Sequence, residues 1–284
     1  MGWMRIAAVM VLLGLSVVTD LAAGEDKLAG VREQVRKDDD DDASPPHRRR
    51  TRARRHSERD HGPGIFVSLV GPPVFYTLAS PFLVPHALIE GDSPTDVDFP
   101  EFPYECSLPG YLIISSPLTP EADGWGARYE LDYGTNFDDL QRMGGRLLWE
   151  HRSRFGLDAE FNDYIERTRR GNDSLWTGDG NIIYRFAQGE KIEFYSGVGL
   201  NWLTDERRTD LGFNFTYGFT AYPARPWVLE ASLDAGSLGR AGRFHIRGTA
   251  GFTWKTLEFF TGYDYQRIGS VDLHGPLAGV RLWF

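Results

Sequence analysis

Cysteine is nearly missing from this chain. Cys106 stands alone among 284 residues, which excludes an intramolecular disulfide framework and a cysteine-based zinc site. Proline is scarce in the second half: residues 124–284 hold three of the 16, so long stretches there are free to pair as strands. Basic charge is in deficit, with 31 Lys and Arg against 40 Asp and Glu, which argues against a nucleic-acid partner. There is no Gly-rich phosphate loop, and the acidic stretches lack the D-x-[DN]-x-[DN]-G calcium pattern. The sequence thus points to no cofactor and no metal. Aromatics, by contrast, are abundant at 13%, with 8 Trp, 12 Tyr and 18 Phe, and glycine reaches 32 residues.

The chain divides into four regions of different physics. Residues 1–24 read as a secretory signal peptide: Arg5 is the positive start, Ile6 to Val18 the apolar run, and Leu21-Ala22-Ala23-Gly24 the small residues for cleavage. The run is short for a membrane span of about 20 residues. Residues 25–62 are a charged, low-complexity linker with 10 acidic and 11 basic side chains. With so little to bury, the linker is expected to stay disordered. Its block Arg48, Arg49, Arg50, Arg52, Arg54 and Arg55 suits a cell-wall polymer or anionic lipid; the plainer reading is a solvated tether. Residues 63–123 hold 11 prolines, eight carboxylates and no Lys or Arg. Ile65 to Ile89 is apolar and uncharged, but Pro72, Pro73, Pro81 and Pro85 break any membrane helix there. Two short strands, Phe66–Val70 and Val74–Leu78, are conceivable. This Pro-rich acidic segment has no core of its own and is expected to dock inside or under the next domain.

From residue 124 the pattern is period-2 alternation, repeated ten times. One face of the first segment carries Trp125, Ala127, Tyr129, Leu131 and Tyr133; the last carries Ala278, Val280, Leu282 and Phe284. The apolar faces hold no charge. The opposite faces carry Arg128 and Glu130, Arg146 and Glu150, Asp158 and Glu160, Arg185 and Glu193, then Glu230, Arg247, Glu258, Asp264 and Arg281. A soluble sandwich alternates with its apolar faces meeting inside, whereas a membrane barrel turns them outward to lipid and keeps polar faces in the lumen. Segments of about 9–13 residues suit a tilted membrane crossing and exceed the usual strand length of about 5–6. Tryptophans 125, 149, 176, 202, 227 and 254 fall near segment ends, as in interfacial girdles. The fold class expected is therefore all-β: an antiparallel, up-and-down transmembrane barrel of about ten strands over 124–284. Connections around Arg152, Gln188, Ala224 and Lys255 look short, and those at Arg167–Asp173 and Thr204–Asp210 look longer and polar. That asymmetry assigns the short side to the periplasm.

The chain ends Gly279-Val280-Arg281-Leu282-Trp283-Phe284. This resembles the terminal strand of bacterial outer-membrane β-barrel proteins. The resemblance covers about 57% of the chain and implies export to the outer membrane, contact with its lipids, and recognition of Val280, Leu282 and Phe284 by the barrel-assembly machinery. It brings no activity motif. His151-Arg152-Ser153 looks like part of the signature of outer-membrane lipid A deacylases. Asp272-Leu273-His274 is similar to half the site of omptin proteases, with Asp138-Asp139 a candidate partner across the rim. His245 lies on the lumen face. Three functions stay open: a structural or porin-like permeation barrel without catalysis, a rim-site hydrolase using Asp272 and His274, and an envelope-tethering protein acting through the Arg block and outer loops.

Overall fold

The computed structural model describes residues 26–36, 85, 89, 96–114, 122–169 and 171–284. The expected signal peptide, the Arg48–Arg55 block and the two conceivable strands at 66–78 lie outside these residues.

Ten strands form a closed antiparallel barrel in which each strand pairs with its sequence neighbours and the first pairs with the last. They are β1 Trp125–Thr135, β2 Leu140–His151, β3 Phe155–Thr168, β4 Gly171–Gly189, β5 Ile192–Thr204, β6 Thr209–Ala224, β7 Trp227–Leu238, β8 Ala241–Trp254, β9 Leu257–Ile268 and β10 Val271–Trp283. Closure removes every sheet edge, the only way a sheet satisfies its backbone groups within hydrocarbon. The β1–β10 seam runs from Arg128↔Trp283 to Gly134↔Leu277. Alternation sets the two faces: Tyr129, Leu131, Leu147, Leu157, Ile182, Val198, Phe252 and Phe259 are exposed outside, while Arg128, Glu130, Arg146, Asp158, Arg247 and Arg281 are buried inside. The ends of the terminal strand obey the same rule, with Val280, Leu282 and Phe284 outward and Trp283 inward.

Two expectations are corrected. Arg167–Asp173 and Thr204–Asp210 are mostly strand rather than long loop: two residues separate β3 from β4, and four separate β5 from β6. Polar residues continue the backbone ladder beyond the apolar band, because water satisfies their side chains while pairing still satisfies their amides. One barrel end, here the turn end, carries both barrel termini and links of two or three residues; the other, the loop end, carries links of two to four. The length contrast expected between the two ends is therefore slight.

The second correction concerns 25–62. Its first part is not disordered: Lys27–Arg36 is a helix, α1, seated in the loop-end mouth. Leu28, Val31 and Val35 recur at helical spacing on one face. An isolated ten-residue helix is marginal in water, so α1 owes its order to the barrel. Its apolar stripe meets a ring of inward-facing residues, Leu140, Tyr164, Leu175, Leu203, Leu238, Ile268 and Leu273. At the opposite end, residues 96–114 lie under the barrel, with Val97, Phe99, Tyr104, Tyr111 and Leu112 packed on Tyr222, Val228 and Trp283.

Candidate functional site: the charged lumen and its two caps

The lumen is lined by buried ions, most of them joined in one network. Arg281 reaches Glu258 at 2.6 Å, Glu230 at 2.8 Å and Glu130 at 3.0 Å. Glu230 also receives Arg146 at 2.7 Å and Arg128 at 3.1 Å. Arg146 is bidentate on Asp158, at 2.8 and 2.7 Å. Arg247 joins Glu130 to Asp132, at 3.2 and 3.0 Å. Toward the turn end, Arg185 bonds Glu150 at 2.8 Å and lies 3.9 Å from Glu193. Toward the loop end, Arg142 bonds Asp132 and Asp264, and Arg243 bonds Asp179 at 2.9 Å. His245 sits between Asp264 at 2.9 Å and Asp234 at 3.4 Å, and Glu160 lies 3.9 Å from Arg247.

Several of these bonds cross the full lumen. Arg146 on β2 holds Glu230 on β7, and Arg128 on β1 holds Thr220 on β6, pairs five strands apart around the ring of ten. Tyr164 on β3 meets Gln266 on β9 at 2.9 Å. Ions this deeply buried are tolerated only when each is paired, because the desolvation penalty is several kcal/mol per ion. The network therefore fills the lumen and fastens opposite walls together.

Arg142, Asp179, Asp234 and Arg243 belong to the same network, and their parity on the polar faces was the available signal. The apolar ring under α1 left a trace too: Leu140, Leu175, Leu203 and Leu238 sit on the polar parity, all at one end.

α1 is clamped by charge as well as packing. The Glu166 carboxylate accepts the free backbone N–H groups of Lys27 and Leu28, at 2.8 and 2.9 Å, which satisfies donors that a helix start leaves open. Arg32 meets Asp173 at 2.5 Å and Asp205 at 3.0 Å; Arg36 meets Asp205 and Asp210, both at 2.7 Å. The hydrogen bond from Arg36 holds the Asp205 carboxyl well below the usual carboxylate range, against the opposing effect of burial.

The turn-end cap is built on aromatic contacts. Phe99 and Asp123 exchange two backbone hydrogen bonds. The Tyr104 hydroxyl donates to the Trp227 carbonyl at 2.5 Å, and that of Tyr111 to the Phe284 carbonyl at 2.8 Å. The Arg185 guanidinium lies 5.1 Å from the Phe99 ring centre. Gly126 is required here: a Cβ would stand 2.7 Å from both Phe99 and the Tyr111 hydroxyl.

The catalytic candidates fall elsewhere. Asp272 and His274 face outward at the loop-end rim and do not bond each other. Asp272 accepts from the Tyr265 hydroxyl at 2.9 Å, and His274 Nδ1 lies 2.7 Å from that of Tyr263. Asp139 pairs with Asn136 and lies 3.7 Å from Lys27. His151 Nδ1 and Ser153 Oγ are 2.9 Å apart at the β2–β3 turn, and among the described hydrogen bonds no carboxylate meets that histidine. No group of three or more His, Cys, Asp or Glu suited to a metal occurs among the described residues.

No family model matches the chain, and no curated protein matches its sequence. Solved structures do. The N-terminal β-barrel domain of Pseudomonas aeruginosa OprF is similar at 14% identity, over 56% of this chain and 97% of that one, with a TM-score of 0.32. The β domain of the Bordetella autotransporter BrkA is 10% identical over 56% of this chain and 99% of its own, with a TM-score of 0.34. The Yersinia pestis outer membrane protein Ail is 12% identical over 56% and 99%, with a TM-score of 0.32. These scores are low, and the architecture rests on the chain's own strands: a closed ten-stranded antiparallel barrel, apolar outside and charged inside, with each mouth covered by a segment that precedes the barrel in sequence.

Proposed function

We propose that this protein is a non-conducting barrel of a Gram-negative-type outer membrane, with a structural rather than a permeation role. One observation carries the reading: side chains from opposite walls are bonded to each other through the lumen, from Arg128–Thr220 to Tyr164–Gln266. The exposed apolar outer face supports placement in lipid, since a water-filled exterior would penalise it. Export through residues 1–24 and assembly through outward-facing Val280, Leu282 and Phe284 belong to the same reading. So does contact of Arg48–Arg55 with an anionic envelope polymer or lipid. Hydrolysis at the rim draws no support, because Asp272 and His274 are each bonded to a separate tyrosine.

The test is single-channel recording in a planar bilayer, with the refolded chain beside a form lacking residues 26–36. Heat-modifiable gel mobility confirms folding of both. Both are expected to stay silent, because removing α1 leaves the cross-lumen bonds in place. Steady conductance from the whole chain overturns the reading. Conductance from the shortened form alone makes α1, not the ion network, the seal.

A further inference from the structure

The loop-end mouth is shaped to hold a helix at both of its ends. At the helix start, the Glu166 carboxylate takes the backbone N–H groups of Lys27 and Leu28. Glu166 is 1% exposed, and among the described residues no lysine or arginine side chain pairs with it. At the helix end, the Arg240 backbone N–H donates to the Val35 carbonyl at 3.1 Å, one of the acceptors that a helix terminus leaves open. Gly239, at φ +55°, allows that approach: a Cβ there would stand 2.7 Å from the Val35 oxygen. A buried carboxylate without a cation is costly unless donors reach it. The mouth is therefore complete only with a helix start in front of Glu166.

Between these two caps the mouth meets the sides of the helix. Its floor is apolar, with Leu140, Leu175, Leu203 and Leu238 packed on Leu28, Val31 and Val35. Its rim is acidic. Asp173 pairs with Arg32, and Asp205 with Arg32 and Arg36; among the described residues both carboxylates find their cations in α1. Asp139 lies 3.7 Å from Lys27. Asp210 also has a partner from the barrel, Arg208. Take α1 away, and an apolar floor is left under carboxylates that the barrel does not neutralise.

None of these contacts requires the helix to belong to the same chain. Open amides, an apolar stripe at helical spacing and basic residues beside it define a class of helices. Nor does closure of the barrel need α1, because Arg146–Glu230 and Tyr164–Gln266 bond across the lumen beneath it. α1 is also a modest occupant: Gly30 stands in its middle, and glycine is a poor helix former. We infer that the mouth is a docking site for a basic, amphipathic helix of another polypeptide, about three turns long, and that α1 is the occupant this helix displaces. The fitting helix repeats the spacing of Leu28, Val31 and Val35 on its apolar face and of Arg32 and Arg36 beside it. Tethering keeps α1 at a high local concentration, which restricts the site to helices that fit it better.

The test uses a fluorescent peptide with the sequence of residues 26–36 and the whole chain refolded in phosphatidylcholine nanodiscs. Heat-modifiable mobility is the folding control. The mouth is opened by Val31→Ser with Val35→Ser in one chain, and by Arg32→Glu with Arg36→Glu in another. Fluorescence anisotropy is expected to show saturable binding to at least one opened chain, several-fold tighter than to the parent. Adding Asp173→Asn with Asp205→Asn to that opened chain is expected to weaken binding several-fold, and a scrambled peptide of the same composition is expected not to compete. The inference is overturned by no saturable binding to either opened chain, by equal binding to the parent, by indifference to the rim substitutions, or by equal binding of the scrambled peptide. Co-purification of the parent with a tagged opened chain, without binding of the free peptide, also overturns it and assigns the mouth to exchange of α1 between copies. Conductance enters none of these readouts, so a conducting barrel that binds the peptide refutes only the structural role proposed above.

Discussion

At the residue scale, the barrel reverses the usual arrangement of a folded protein. Glu230 receives Arg128, Arg146 and Arg281, so three guanidinium groups converge on one carboxylate. Replacing it with the isosteric amide, Glu230→Gln, leaves those charges undercompensated. Loss of one partner from a buried ion pair costs about 3–5 kcal/mol, and the urea midpoint of the heat-modifiable form is expected to drop accordingly. An unchanged midpoint would mean that the remaining carboxylates, Asp158, Glu258 and Glu130, hold the arginines without Glu230. The outer face responds to the opposite change. Val198 is exposed at mid-strand, paired to Ile182 and Phe215. Val198→Arg is expected to destabilise the barrel in phospholipid by about 2–4 kcal/mol, whereas Val198→Leu is expected to be near neutral. Equal effects of the two would remove lipid from that face.

At the element scale, α1 exists because the mouth exists. Its sequence KLAGVREQVR is charged at four of its ten positions, and it reads as linker until the ring of Leu140, Leu175, Leu203 and Ile268 gives Leu28, Val31 and Val35 something to bury against. Each such side chain contributes about 1.5–3 kcal/mol when fully buried. The ionic part of the clamp is pH-dependent with a definite sign. The native Asp205 carboxyl is held below its unfolded value by Arg36, so its contribution is complete above the unfolded value of about 3.9. That contribution is lost as pH falls through the native value. Tryptic-type cleavage sites at Arg32 and Arg36 can report release after a brief acid pulse. The folded barrel is expected to protect them at pH 7 and to lose protection at a higher pH in Val31→Ser than in the parent. Cleavage indifferent to both pH and the substitution would show that α1 is not clamped in the mouth. At the other end, Gly126→Val places a Cβ against Phe99 and Tyr111. It is expected to detach residues 96–114 while leaving the strand ladder intact, read as new protease sensitivity confined to that segment.

At the scale of the whole molecule, three layers of closure act in series: α1, the ion network and the 96–114 cap. Each draws on a different mix of forces, with helix packing and ion pairs at one end, paired charge in the middle and edge-on aromatic packing at the other. Tyr111 and Trp283 stand 4.6 Å apart between ring centres, so the turn-end cap also touches the strand that completes the β1–β10 seam. Redundancy of this kind predicts that no single cap removal opens a pore.

What the sequence determined by itself is the wall. Period-2 alternation is a local property of each strand, so the ten segments, their inward and outward faces and the terminal pattern of Val280, Leu282 and Phe284 were all legible. Parity likewise placed Arg128, Glu230 and Arg281 on the inner face. What only the tertiary structure decided is what meets across the lumen and what covers the ends. Arg146 and Glu230 are 84 residues apart in the chain, and nothing local distinguishes that partner from other carboxylates on the polar faces. Asp272 and His274, one residue apart from adjacency, share an outward face yet turn to different tyrosines. The helix at Lys27–Arg36 has too few apolar residues to fold alone; its order comes from a ring of side chains contributed by strands that begin more than 100 residues later, and a contact of that range is set by barrel closure rather than by any local pattern.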